Sequence, residues 1–204
     1  MSSETIVGVY KDIYPSIGPS IYKPEEFKDK VVIVTGAGSG IGRETALAFS
    51  EVGAKVAFTD WNEDNARKGA DEAKRFGNPT IVVGGDVTKL ADTERLYKTV
   101  SAELGEVDVI VCAAGYGMFD KFAISREKDW WGLIETNLKG PTDLTRLVLP
   151  SMIKRNTGSL IYISSRVCPL PINLILGGSN GSSVLNGLQH LQGGIDPFCW
   201  MSST

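Results

Sequence analysis

The octapeptide TGAGSGIG, Thr35 to Gly42, constrains this chain more than any other stretch. Before it stands KVVIVTG, Lys30 to Gly36, a continuous β-branched run that ends in glycine. Such a run suits a strand buried on both faces, and strands of that kind occur in parallel sheets covered by helices. After it comes IGRETALAFSEVG, Ile41 to Gly53, where Ile41, Ala48 and Val52, with Thr45 and Phe49, fall on helical spacings before a glycine suited to a C-cap. A strand, a glycine-rich turn and a helix in that order put the turn at the carboxyl edge of the sheet, where helix N-terminal amides and the helix dipole favour a pyrophosphate. Gly36, Gly40 and Gly42 fit G-x-x-x-G-x-G, with Ser39 and Ile41 in the same turn, while G-x-G-x-x-G fits no register. Arg43 follows Gly42 and no G-K-[ST] occurs, which excludes a Walker-type loop. Taken alone, the loop would also serve as a plain βα turn or as an S-adenosylmethionine site.

The rest of the chain narrows the choice. AKVAFTD (Ala54 to Asp60), TIVVGGD (Thr80 to Asp86), VDVIVCAAG (Val107 to Gly115) and GSLIYISS (Gly158 to Ser165) read as further strands. Helices are predicted over Asn62 to Gly77, over Thr88 to Leu104 with Thr88 as N-cap, and from about Ser125 to Arg155 with an interruption near Gly140-Pro141. Strands alternating with helices of this length require crossovers and a parallel, doubly wound α/β sheet of five strands. Asp60 ends the second strand, where a carboxylate can accept hydrogen bonds from adenosine ribose hydroxyls and would repel a 2′-phosphate, so NAD is favoured over NADP. Asp86, followed by Val87, ends the third strand and can receive an adenine amino group; helix capping is its plainer role.

Composition excludes other classes. The net charge is −3, and no basic surplus offers a footprint for nucleic acid or an anionic membrane. Cys112, Cys168 and Cys199 have no CxxC spacing, and His190 is the single histidine, so no metal site is expected and the thiols suit a reducing, cytoplasmic setting. No apolar run is long enough for a signal peptide or a membrane span. Residues 1 to 28, with Pro15, Pro19 and Pro24, read as an N-terminal extension before a domain of residues 29 to 166.

Five ordered motifs, TGAGSGIG, DVT (Asp86 to Thr88), CAAG (Cys112 to Gly115), TNLKG (Thr136 to Gly140) and GSLIYISS, resemble the short-chain dehydrogenase/reductase family of the classical type over roughly Asp29 to Ser165. The resemblance implies a Rossmann-like fold, a nicotinamide cofactor, and hydride transfer between that cofactor and the alcohol or carbonyl of a small molecule. It implies that Gly36, Ser39, Gly40, Ile41 and Gly42 hold the pyrophosphate, Asp60 the ribose, Asp86 and Val87 the adenine, and that Ala114 and Gly115 allow close approach of the cofactor. Cys112 and Ala113 stand where the family usually has two asparagines. Asn137 matches an asparagine that holds a water in a proton relay, Trp130 a packing tryptophan expected in the core, and Ser165 the catalytic serine.

The family also implies a Tyr-x-x-x-Lys pair shortly after that serine, the lysine and the positive nicotinamide lowering the tyrosine pKa for acid/base work. Gly178 and Ser182 occupy those positions; Tyr162 is the last tyrosine and Lys154 the last lysine. Composition changes in step, since 44 of the 45 charged residues precede Val167 and residues 167 to 204 contain only Asp196. The expectation is a dehydrogenase sequence whose end has been replaced and which is inactive as it stands. The alternatives are a non-catalytic NAD(H)-binding module and an enzyme drawing its acid from His190, Tyr162 or Cys168. Without the helix that carries the pair, the family's dimer or tetramer is not expected and the fifth strand is left as a sheet edge.

Overall fold

A computed structural model describes residues 23, 25 to 117 and 124 to 164; Ser165, the tail and nearly all of the N-terminal extension lie outside the described residues. The elements below belong to one compact unit drawn from residues up to 118 and from 126 to 164. Five strands, β1 (Val31–Thr35), β2 (Lys55–Asp60), β3 (Thr80–Gly84), β4 (Val107–Cys112) and β5 (Ser159–Tyr162), form one sheet in the order β3-β2-β1-β4-β5, and every neighbouring pair is parallel. The chain builds outward from β1 to β3, then returns to the other side of β1 with β4. The carboxyl ends of β1 and β4 therefore flank the topological switch point, where open α/β sheets hold their ligands.

All five residues of β1 are buried, as its unbroken β-branched run requires. Alternation along the strand divides them between two cores. Val32 and Val34 pack with Val56, Phe58 and Val111 beneath α1 (Gly40–Glu51) and α2 (Glu63–Ala73), through Ala46, Leu47, Ala66 and Ala70. Val31 and Ile33 pack with Ala57, Val83 and Ile110 beneath α3 (Leu90–Glu103) and α5 (Gly140–Arg155), through Leu96, Val100, Leu144 and Val148. Small alanines on α1 and α2 let those helices lie close to the sheet.

Several helices differ from expectation. α1 buries Gly42, Ala46, Leu47 and Ser50 and leaves Ile41 and Ala48 exposed, so the stripe inferred from Ile41, Ala48 and Val52 is corrected. The i, i+4, i+8 series Gly42, Ala46, Ser50 wins because a helix lying this close to the sheet has room only for small side chains; the Ser50 hydroxyl is satisfied by donating to the Ala46 carbonyl at 2.9 Å. α3 begins at Leu90 with Lys89 as N-cap, not at Thr88, because the Thr88 amide and hydroxyl both donate to Asp86 Oδ1 at 3.0 and 2.8 Å.

The interruption near Gly140-Pro141 is a π-helical turn, Glu135–Lys139, joining α4 (Glu127–Ile134) to α5 without a break. Pro141 stands in the first turn of α5, directly after the π-helical turn. Trp130 is only part-buried and α4 buries none of its residues, so the core role expected of Trp130 is not met; its ring lies edge-on to Trp131 at 4.7 Å.

Candidate functional site

A cleft of about 600 Å³ opens at the carboxyl edge of the sheet. Its floor is the β1–α1 turn. Ala37 N–H donates to the Thr59 carbonyl at 3.0 Å and the Thr35 hydroxyl accepts from Ala114 N–H at 3.1 Å, so the turn is tied to the ends of β2 and β4. Gly36 lies against the Ala114 backbone, where a Cβ would sit 2.7 Å from the amide nitrogen, and a Cβ on Gly42 would fall on the Gly36 carbonyl. Gly40 is different: its φ is +51°, it lines the cleft, and a Cβ there would meet no protein atom. It leaves an open cradle beside the first turn of α1, whose leading amides have no intrahelical partner.

One wall comes from the ends of β2 and β3. The Asp60 carboxylate accepts from Gly38 N–H at 3.0 Å through Oδ2 and from Asn62 N–H at 2.9 Å through Oδ1. Gly38 is glycine because a Cβ would come within 2.8 Å of that carboxylate. Asp86 is fixed from behind by α3. Its N–H donates to Asp92 Oδ2 at 3.0 Å, Arg95 Nη1 donates to Asp92 Oδ1 at 2.7 Å, and Arg95 Nη2 donates to the Gly84 carbonyl at 2.8 Å. The Asp86 N–H, and after it the Arg95 guanidinium, hold the Asp92 carboxyl below its ordinary range. Val87 is backed by Gly140, at which a Cβ would come within 3.0 Å, and Lys139 Nζ donates to the Thr88 carbonyl at 3.1 Å.

The facing wall is formed by the segment after β4 and by α4. Asn137, in the π-helical turn, accepts from Tyr116 N–H at 2.9 Å and donates to the Tyr116 carbonyl at 2.8 Å. This two-point clasp holds the segment after Gly115 even though Cys112 and Ala113 supply no amide side chains. The Cys112 thiol is buried and its pKa is pushed up to about 12 by desolvation, so it is a packing group with no nucleophilic character.

All ten predicted cofactor-binding residues, Gly36, Ser39, Gly40, Ile41, Gly42, Asp60, Asp86, Val87, Ala114 and Gly115, line this cleft. Asn137 stands behind its wall, and Ser165 lies outside the described residues. Sequence reasoning missed Gly38, Trp61, Tyr116 and the α4 residues Lys128, Asp129 and Gly132. Gly38 and Trp61 adjoin quoted motifs and could have been found by adjacency. The α4 residues are brought in only by the tertiary fold. Among the described residues, no cluster of three or more His, Cys, Asp or Glu could hold a metal ion.

Comparison with known proteins extends this picture. The short chain dehydrogenase family model matches residues 30–176. A short chain dehydrogenase of Pseudocercospora fijiensis is 36% identical, over 78% of this chain and 52% of its own length. An uncharacterized oxidoreductase of Thermotoga maritima is 34% identical, over 68% of this chain and 55% of its own. A 7α-hydroxysteroid dehydrogenase solved with NADH and 7-oxo glycochenodeoxycholic acid superposes with a TM-score of 0.66 at 33% identity, over 68% of this chain and 54% of that one. A hydroxysteroid dehydrogenase from Escherichia coli superposes with a TM-score of 0.61 at 30% identity, over 74% of this chain and 60% of that one. The chain thus spans little more than half the length of the curated relatives it matches.

Proposed function

The chain belongs to the short-chain dehydrogenase family, and from that premise we propose that its cleft binds NAD(H) and that the sequence as it stands does not turn over substrate. The observation that carries the binding half is the cradle at Gly40, open to a ligand and bordered by the first turn of α1. A pyrophosphate suits it because helix N-terminal amides and the helix dipole favour an anion there. Asp60 receives the ribose hydroxyls with the lone pairs left over from Gly38 and Asn62, and its negative charge disfavours a 2′-phosphate. Asp86 and Val87 border the adenine end, and Ala114 and Gly115 the nicotinamide end.

When bound, nicotinamide supplies hydride chemistry between a small-molecule alcohol and its carbonyl. Asn137 holds the Tyr116 segment at that end of the cleft, and Ser165 would hydrogen-bond the substrate oxygen. Proton transfer in the family falls to the Tyr-x-x-x-Lys pair, and Gly178 and Ser182 stand at those positions in this sequence. The departure from the family falls between Arg166, after which Asp196 is the single charged residue, and residue 176, where the family match ends. That supports a replaced tail, which sequencing the transcript across these codons tests.

Calorimetric titration with NADH and NADPH tests the binding half. Saturable NADH binding, with NADPH at least about tenfold weaker, is expected from one like-charge contact in a partly screened site. No NADH binding at millimolar concentration overturns it. Turnover of any alcohol or carbonyl in a coupled absorbance screen, abolished by Ser165→Ala, overturns the proposed inactivity.

A further inference from the structure

Among the described residues, the charged side chains that line the cleft are Asp60, Asp86, Lys128 and Asp129. The three carboxylates already have donors. Asp60 accepts from the Gly38 and Asn62 amides, and Asp86 accepts from the amide and hydroxyl of Thr88. Asp129 is gripped at both oxygens by Arg126, from Nε to Oδ2 at 2.6 Å and from Nη2 to Oδ1 at 3.1 Å. Lys128 is the one cation of the lining, and it has no acidic partner among the described residues. It also shares its helix face with other cleft residues. Lys128, Gly132 and Thr136 recur every four residues along α4 and the π-helical turn, and all three line the cleft. Gly132 leaves this face low, since a Cβ there would still lie 3.7 Å from the Tyr116 ring. Tyr116 and Ile163, exposed and in the same lining, add apolar surface.

We propose that Lys128 receives a carboxylate on the small-molecule ligand of this cleft, whose class is an alcohol or carbonyl compound with an apolar skeleton and an acidic end. This rests on the reading of the cleft as a dinucleotide site. In that reading the pyrophosphate takes the amides at the floor, beside Gly40, and the ammonium on the α4 wall is left for a second anion. Lysine suits that role because its charge is compact and carried on a flexible stem, so it meets a carboxylate from several directions. Lys128 is exposed, which limits its contribution to that of a solvated ion pair, about fivefold in affinity at most.

The test loads the full chain with NADH and titrates it with benzoylpropionate and with benzoylpropionamide, a neutral ligand of the same skeleton, by ligand-observed NMR. The acid is expected to bind about fivefold more tightly than the amide at low salt. At about 1 M salt, where charges are screened beyond roughly 3 Å, the two should converge. Lys128→Met should remove the preference and Lys128→Arg should keep it within about twofold, with NADH affinity unchanged in both. The wild-type acid/amide ratio needs no variant to fold. If NADH binds but acid and amide bind within about twofold of each other at low salt, or neither binds at millimolar concentration, the role of Lys128 is overturned and the dinucleotide reading stands. If Lys128→Met weakens NADH as much as it weakens the acid, the ammonium serves the cofactor phosphates and the proposal is likewise overturned. If NADH itself does not bind, both fall.

Discussion

A methyl group added at Gly42 would land on the Gly36 carbonyl, whereas one added at Gly40 would meet no protein atom. Two glycines in one motif are therefore required for different reasons, one by packing and one by backbone conformation and ligand space. Gly42→Ala forces α1 away from the β1 end and should cost several kcal/mol, about 3 or more as in overpacked or strained cores, read as a large drop in thermal midpoint. Gly40→Ala, at φ +51°, should cost only about 1–2 kcal/mol of stability yet abolish measurable NADH binding. Equal losses of stability in the two variants would contradict this division. The motif G-x-x-x-G-x-G was legible in the sequence, but the division of labour was not, because it depends on the neighbours that β4 and the turn bring to each Cα.

At the scale of elements, the turn after β3 is set less by its own residues than by α3. Asp92 receives the Asp86 N–H and is held by Arg95, which also binds the Gly84 carbonyl, so one helix fastens two backbone groups at the cleft edge. Asp92→Ala should weaken NADH binding several-fold, in keeping with the loss of a net hydrogen bond of about 1 kcal/mol. Asp92→Asn, which keeps an acceptor for Asp86, should recover most of it; identical affinities for the two variants would show that the clamp does not position the site. The same clamp has an acid signature. The Asp92 carboxyl is lowered in the fold, so its contribution is present above the ordinary carboxylate value of 3.8 and is lost as pH falls through the lower folded value. Helical periodicity showed that α1 and α3 exist, yet it chose the wrong face for α1 and the wrong cap for α3. Period alone does not register how near the sheet lies, nor that Thr88 bonds Asp86 in preference to capping a helix.

For the whole molecule, the parallel sheet places Cys112 at the end of β4 in the core beneath α3 and α5, with its thiol desolvated. Its folded pKa is raised above the ordinary value of 9.0 to about 12, so the unfolded chain loses this proton first as pH rises. Stability is therefore expected to be unaffected by this group below pH 9.0 and to fall progressively towards pH 12, measurable as a declining denaturation midpoint. Alkylation at pH 8 followed by peptide mass analysis should leave Cys112 unlabelled in the native chain and labelled in denaturant; native labelling at an equal rate would refute its burial. The sequence by itself determined the βα alternation, the Asp60 carboxylate at the end of β2 and the glycine turn, because each is written in residues close together along the chain; β3 ends at Gly84, two residues before the Asp86 expected to close it. The tertiary structure alone decided that α4 and Tyr116 face the turn, that Asn137 clasps Tyr116, and that Trp61 stands exposed in the cleft. Those relations join residues separated by many positions, and they are fixed only when the strand order β3-β2-β1-β4-β5 brings the ends of β1, β2, β3 and β4 to one edge.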